Sequence, residues 1–178
     1  MTLKDLTVRP KPQNNTAKIA FLIALLVSAA GFAVYFMIEQ YRGIVGMFAL
    51  LTLVTAILFY TKYISPAFCY DITTDSDGIP IFVVRQITGK RQTTLCRIDL
   101  ANIKALVSED KAERKAHKTP SGYKKYVYAP TLFPPRIYRM TVVGRYEKAE
   151  IIIECSDEFA SYLGDCAKEA AENFADEE

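Results

Sequence analysis

Ile19 to Ile38 reads IAFLIALLVSAAGFAVYFMI, and Gly43 to Tyr60 reads GIVGMFALLTLVTAILFY. Neither stretch contains a charged residue. A bilayer core about 30 Å thick needs about 20 helical residues, which the first run supplies and the second nearly does. The first holds eleven Leu, Ile, Val or Phe residues, each favouring insertion by roughly 0.3–0.6 kcal/mol. Between them lies only Glu39-Gln40-Tyr41-Arg42, a gap short enough to force a tight reversal. The spacing predicts an antiparallel transmembrane hairpin over 19–62, with spans at 19–38 and 43–60. Tyr60 and Tyr63 fall at the interface, with Lys62 positioned to snorkel. A cleaved signal peptide is the rival reading, since Lys18 ends a basic region and Ser28-Ala29-Ala30 offers small residues. The apolar run continues past that point through Phe32, Val34, Phe36 and Ile38, and a second span follows. A buried soluble pair is disfavoured because neither run has a polar face.

Lys and Arg next to the spans set the orientation. The segment 1–18 carries Lys4, Arg9, Lys11 and Lys18, whereas the inter-helix gap carries only Arg42. Both termini are therefore expected on the cytoplasmic side of the plasma membrane, in a multi-pass protein. Ala20, Ala24, Ser28 and Gly31 form a small-residue stripe on the first helix, with Gly46, Ala49 and Ala56 on the second. Such stripes permit close helix approach. They serve either the contact between the two helices or a dimer seam. Ion and proton transport usually needs a charge inside a span; these spans have none, which disfavours a transporter.

Ser65-Pro66 ends the second helix. Residues 67–174 then have the length of one domain, followed by an acidic tail at 175–178. Phe68 to Thr73 is rich in strand formers, and Asp75-Ser76-Asp77-Gly78 is a turn. Ile79 to Thr88 and Gln92 to Ile98 flank a two-residue hairpin turn at Gly89-Lys90. Ile103 to Val107 is another strand. Ser108 to Gly122 loses all period and is expected as a long exposed loop. Lys124 to Ala129 alternates, and Arg136 to Val143 pairs with Glu150 to Cys155. Ser156 or Asp157 caps a final helix, in which Phe159, Tyr162, Leu163, Cys166, Ala170 and Phe174 recur at helical spacing. The expected fold is α+β: about six or seven antiparallel strands in a bent sheet or barrel, capped by a C-terminal helix.

The stretch YDITTDSDGIPIFVVRQITGKRQTTLCRIDLANIKAL (70–106) resembles the first half of bacterial pleckstrin-homology-like (PH-like) domains. The resemblance rests on Tyr70 and Ile72, the Asp-Gly turn, the Gly89 hairpin and the Ile98-Asp99-Leu100 step. The closing hairpin and helix, 150–174, are similar to the end of that family. Such domains often follow a two-helix membrane hairpin, and the resemblance implies a scaffold or interaction role. The segment 108–135 has no counterpart in the family. Its phosphoinositide-binding members carry Lys and Arg at the first hairpin, where this chain has Asp75 and Asp77. That departure argues against inositol-phosphate binding there.

The net charge of +2 hides an asymmetry. Residues 85–148 carry a balance of +10, whereas 150–178 carry −9. The densest basic patch is Lys111, Arg114, Lys115, Lys118, Lys124 and Lys125. Each such residue near an anionic leaflet contributes about 1 kcal/mol, and a tether to the membrane raises the effective concentration. The patch is therefore a candidate contact for anionic lipid headgroups or a protein partner. The alternative is a solvated loop balancing the acidic helix. Tyr123, Tyr126 and Tyr128 offer stacking surfaces, but tyrosines in strands usually belong to the core, so no nucleic-acid partner is expected.

No catalytic constellation is legible. His117, the only histidine, lies in the basic loop, where nothing in the sequence orients it as a general base. Cys69, Cys96, Cys155 and Cys166 lack metal-ligand spacing and read as reduced core thiols, the first three in strands. Asp75-Ser76-Asp77-Gly78 resembles part of a calcium loop, but Val84 stands where the bidentate Glu belongs. The expectation is a non-enzymatic, membrane-anchored interaction module with no cofactor and no metal. An anionic-lipid-sensing module using 111–125 and an accessory subunit of a larger membrane complex are the alternatives.

Overall fold

The computed structural model describes residues 6–10, 15–145 and 147–175. Lys4, Lys11 and the residues 176–178 of the acidic tail lie outside them, as does the Phe174 side chain. The chain divides into two compact units: Gln13–Pro66, and Met1–Pro12 together with Ala67–Glu178.

The first unit is a helical hairpin. Helix α1 spans Asn15–Met37 and α2 spans Arg42–Phe59, continued by a π-helical turn at Tyr60–Ile64. With that turn, each helical segment is 23 residues, about 34 Å at 1.5 Å per residue. Both are long and apolar enough to cross a membrane. Their large side chains point away from the partner helix, as Leu26, Phe36, Leu51 and Leu58 show. The contact face is built from the small residues instead. Ser28 Oγ donates to the Ala49 carbonyl at 3.0 Å. A Cβ placed on Gly31 would lie 2.9 Å from Ala49 Cβ, and one on Gly46 would lie 3.0 Å from the Tyr35 ring. The two stripes therefore pack α1 against α2.

The second unit, the head, begins before the hairpin in sequence. Strand β1 (Leu6–Val8) pairs antiparallel with β2 (Ala67–Thr74), placing Leu6 opposite Ile72 and Val8 opposite Tyr70. Segment 1–18 is thus not solely a flank of the first helix. Strands β3 (Pro80–Thr88) and β4 (Arg91–Asp99) complete a sheet of order β1-β2-β3-β4. Gly89, at φ 60°, makes the two-residue turn between them and sets Thr88 opposite Arg91.

The second sheet has order β5-β7-β8-β6, from β5 (Ile103–Asp110), β6 (Lys124–Val127), β7 (Arg136–Val143) and β8 (Lys148–Ile153). Two expectations are corrected here. The described residues of 67–174 hold seven strands, within the expected six or seven, and β1 adds an eighth; the sheet is not wholly antiparallel, because β6 runs parallel to β8. The expected loop at Ser108 is also shorter: β5 continues to Asp110, and a six-residue helix α3 (Lys111–Ala116) follows directly. The alternation of β5 is diluted because only three of its residues are buried or half-buried.

Helix α4 (Asp157–Ala175) closes the head. Ser156 Oγ accepts from the Phe159 N–H at 3.3 Å, an N-cap bond. Its buried face, including Phe159, Leu163 and Cys166, meets Tyr70, Ile72, Phe82 and Val84 of the first sheet and Met140, Ile151 and Ile153 of the second. Burying each large apolar side chain contributes about 1.5–3 kcal/mol. Tyr70, fully buried at the centre, donates to the Tyr128 carbonyl at 2.8 Å and so ties the sheets together.

Candidate functional site

The excursion between β5 and β6 carries the basic patch, and its anchoring begins with strand register. In β7, Arg139 stands opposite Val107 of β5 and Ile152 of β8. Side chains two residues apart share a face of a strand. Glu109, opposite Ile137, and Glu150, opposite Thr141, therefore flank Arg139 diagonally on one face of the sheet. That is the face turned away from Tyr138, Met140 and Ile151 of the core.

Arg139 is held there from both sides. Its Nε and Nη2 donate to the two Glu109 carboxylate oxygens at 2.6 and 2.7 Å, and its Nη1 donates to Glu150 at 3.0 Å. All three side chains are less than a tenth exposed. Such charges persist in the interior only when paired and hydrogen-bonded, and the bidentate fork supplies that geometry.

His117 completes the cluster, contrary to the expectation that nothing orients it. Its Nε2 lies 2.9 Å from Glu150 Oε1 and its Nδ1 lies 3.5 Å from Glu109 Oε1. The hydrogen bonds from Arg139 hold the Glu109 carboxyl below the usual carboxylate range. Burial acts to raise Glu150, but the Thr119 hydroxyl, His117 and Arg139 outweigh it, so this carboxyl also titrates low. Both carboxylates are therefore ionised at neutral pH.

Further contacts shape the excursion. Asp110 and Glu113 form a capping box at the start of α3, with the Asp110 N–H donating to Glu113 at 2.9 Å. Arg114 Nη2 donates to the Pro134 carbonyl at 2.9 Å, binding α3 to the following loop. Thr131 anchors that loop to Glu154 through its N–H and its hydroxyl, at 3.0 and 2.7 Å.

Comparison with protein-family models, curated proteins and solved structures finds no match. The site therefore stands on its geometry. Of the six basic residues expected to contact lipid or a partner, Arg114 is half-buried against Pro134 and Lys124 pairs with Glu147 at 3.3 Å. Lys111, Lys115, Lys118 and Lys125 are exposed and have no ion pair among the described residues.

Two clefts of the head lie apart from the titratable cluster. A cleft of about 580 Å³ lies between β5 and α4, lined by Ile103, Leu106, Tyr138 and Gly164 among others. Another of about 480 Å³ lies beside β4 and β6, over Ile98, Val142 and Ile151. Neither is lined by Glu109, His117, Arg139 or Glu150.

Cys69 and Cys96 lie in strands and Cys166 on α4 as expected, whereas two of the four thiols are less buried than expected. Cys69 and Cys166 are buried, Cys96 and Cys155 are half-buried, and Cys155 falls just after β8. Burial pushes the Cys155 thiol up to about 12 and raises the other three as well, so all four are protonated at neutral pH. Among the described residues no group of His, Cys, Asp and Glu has the arrangement of a metal site.

Proposed function

We propose that this chain is a membrane-anchored, non-enzymatic module whose PH-like head is held at the cytoplasmic face of the plasma membrane to engage a protein partner. The pairing of β1 with β2 is the observation that carries the reading. The residues before the first span and those after the second belong to one sheet. If each helix crosses a bilayer once, both flanks lie on the same side. The excess of Lys and Arg before α1 then favours the cytoplasm. The separation of the charged cluster from the clefts supports a structural role for Arg139 and its partners, since a catalytic group must face its substrate. The two packed sheets closed by α4 are compatible with a PH-like architecture.

Protease treatment of intact cells expressing a C-terminally tagged chain tests this placement. The head is expected to survive in intact cells and to be digested once the membrane is permeabilised. Loss of the tag from intact cells overturns the reading.

A second reading is favoured by Lys111, Lys115, Lys118 and Lys125, which are free to meet anionic headgroups. At about 1 kcal/mol each, their summed attraction is on the order of 4 kcal/mol near a charged leaflet. In nanodiscs, added phosphatidylserine should slow amide exchange across 111–125 relative to pure phosphatidylcholine, and high salt should reverse the effect. Equal exchange in both lipids rejects headgroup contact.

A further inference from the structure

His117 occupies a position that its protonated state suits best: Nε2 hydrogen-bonds Glu150, and Nδ1 lies at ion-pair distance from Glu109. Both ring nitrogens face carboxylate oxygens, Nε2 toward Glu150 of β8 and Nδ1 toward Glu109 of β5. A neutral imidazole carries one N–H, so its other nitrogen would direct a lone pair at an anion; the imidazolium has a donor on each side. Charge arithmetic agrees. The buried face holds two carboxylates and one guanidinium, which leaves one negative charge uncompensated unless His117 is protonated. The groups facing the ring are Glu109, Glu150 and, behind them, Arg139 of β7, while the Thr119 hydroxyl also bonds Glu150.

We propose that His117 is a pH-gated clip: protonated, it fastens the basic excursion 111–123 to the outer face of the second sheet, and on giving its proton to solvent it releases it. The excursion has few other fastenings. Its six-residue helix has no buried residue, and its other fastenings among the described residues are the bond from Arg114 to the Pro134 carbonyl, the Thr119 bond to Glu150 and the Lys148 ammonium over the Tyr123 ring. The clip also needs its two carboxylates ionised, so it opens a second time in acid, as pH falls through their lowered range. The gate thus sets whether Lys111, Lys115 and Lys118, exposed in the fastened state, ride on an anchored or a freed excursion.

Trypsin provides the test on the full chain in a zwitterionic detergent, where no anionic lipid competes. Cleavage after Lys115 and Lys118 is measured relative to cleavage after Lys90, in the β3–β4 turn of the same molecule. The ratio cancels the protease's own pH dependence. As pH rises the ratio should climb, at most about tenfold per pH unit, the limit for one linked proton. In His117→Gln it should be high and flat. Near-UV circular dichroism of the tyrosines reports whether each variant is folded. Because the chain has a single histidine, its imidazole resonance titrates without ambiguity, and its midpoint should coincide with the midpoint of release. A flat ratio in the wild-type chain, a pH response retained in His117→Gln, or midpoints more than about one pH unit apart would each overturn the clip.

Discussion

Replacing Arg139 by Met removes a guanidinium that makes three hydrogen bonds to two carboxylates. Glu109 and Glu150 would stay where the strand register puts them, beneath the excursion and less than a tenth exposed. Breaking a buried ion pair by deleting one partner costs about 3–5 kcal/mol, because a charge remains without compensation. That is a large part of the roughly 5–15 kcal/mol that holds a domain folded. At about 2–4 °C per kcal/mol for a chain of this size, the melting point should fall by on the order of 10 °C. Near-UV circular dichroism of the eleven tyrosines can follow the melt in detergent, with no tryptophan to interfere. Exchanging all three residues together, with Glu109→Leu, Arg139→Met and Glu150→Leu, should restore most of the loss, since no buried charge is then left on the strands. The pH dependence adds a sign. Both carboxyls titrate below their usual range in the folded chain, so they stabilise it above that range and the stabilisation is lost as pH falls through their folded values. In Arg139→Met the carboxylates are a liability that protonation relieves. The gap between variant and wild type should therefore narrow as pH drops toward about 4. A single variant melting within about 2 °C of the wild type, or a triple variant melting below the single, would refute the reasoning.

Other outcomes follow from the same contacts. Gly31→Leu should separate the hairpin helices, since even a Cβ there meets Ala49 at 2.9 Å; cysteines placed at Ser28 and Ala49 should lose their crosslink in that background, while Gly43→Leu, with open space around it, should leave the crosslink unchanged. Ser156→Ala removes the cap of α4 and should lower stability by about 1 kcal/mol, visible as a small drop in melting temperature. The thiol of Cys155, pushed up to about 12 by burial, should react with a maleimide at pH 7 many-fold more slowly in the native chain than after denaturation, and native labelling at the unfolded rate would contradict that burial.

The sequence is legible wherever one short segment carries a whole signal. The β3–β4 hairpin needs only a Gly at the turn and two alternating arms; α4 needs only a cap and a 3.6-residue period. The hairpin helices declare themselves by length and lack of charge. The anchored site is different, because Glu109, His117, Arg139 and Glu150 come from four separate segments. Each of the three strand residues resembles an ordinary polar position in an alternating pattern. One local signal existed: RIYRMTVV has Arg139 flanked by Tyr138 and Met140, in a strand buried on both faces. An arginine in such a run must be paired, since a buried charge without a partner is not tolerated. Naming its partners, however, requires the β5-β7-β8 register, and His117 reaches them only because α3 turns back over the sheet.

The N-terminal strand shows how little sequence signal a decisive contact can carry. Leu-Thr-Val at 6–8 is too short for a period to be read, and its partners Tyr70 to Ile72 lie beyond the entire hairpin. Three paired residues stabilise a sheet only modestly, yet they constrain topology more than the spans themselves do. A chain with two apolar helices can cross a membrane twice, or use one helix as a leader. A strand formed from residues before the first helix and hydrogen-bonded to residues after the second requires both flanks to meet in one compartment, and an even number of crossings provides that. Closing a 58-residue excursion costs little more entropy than closing one half as long, and the hairpin shortens it further by returning the chain to the side it left. The two flanks are thus joined by backbone pairing of β1 with β2, and the two helices by the packing of Ser28 and Gly31 on Ala49.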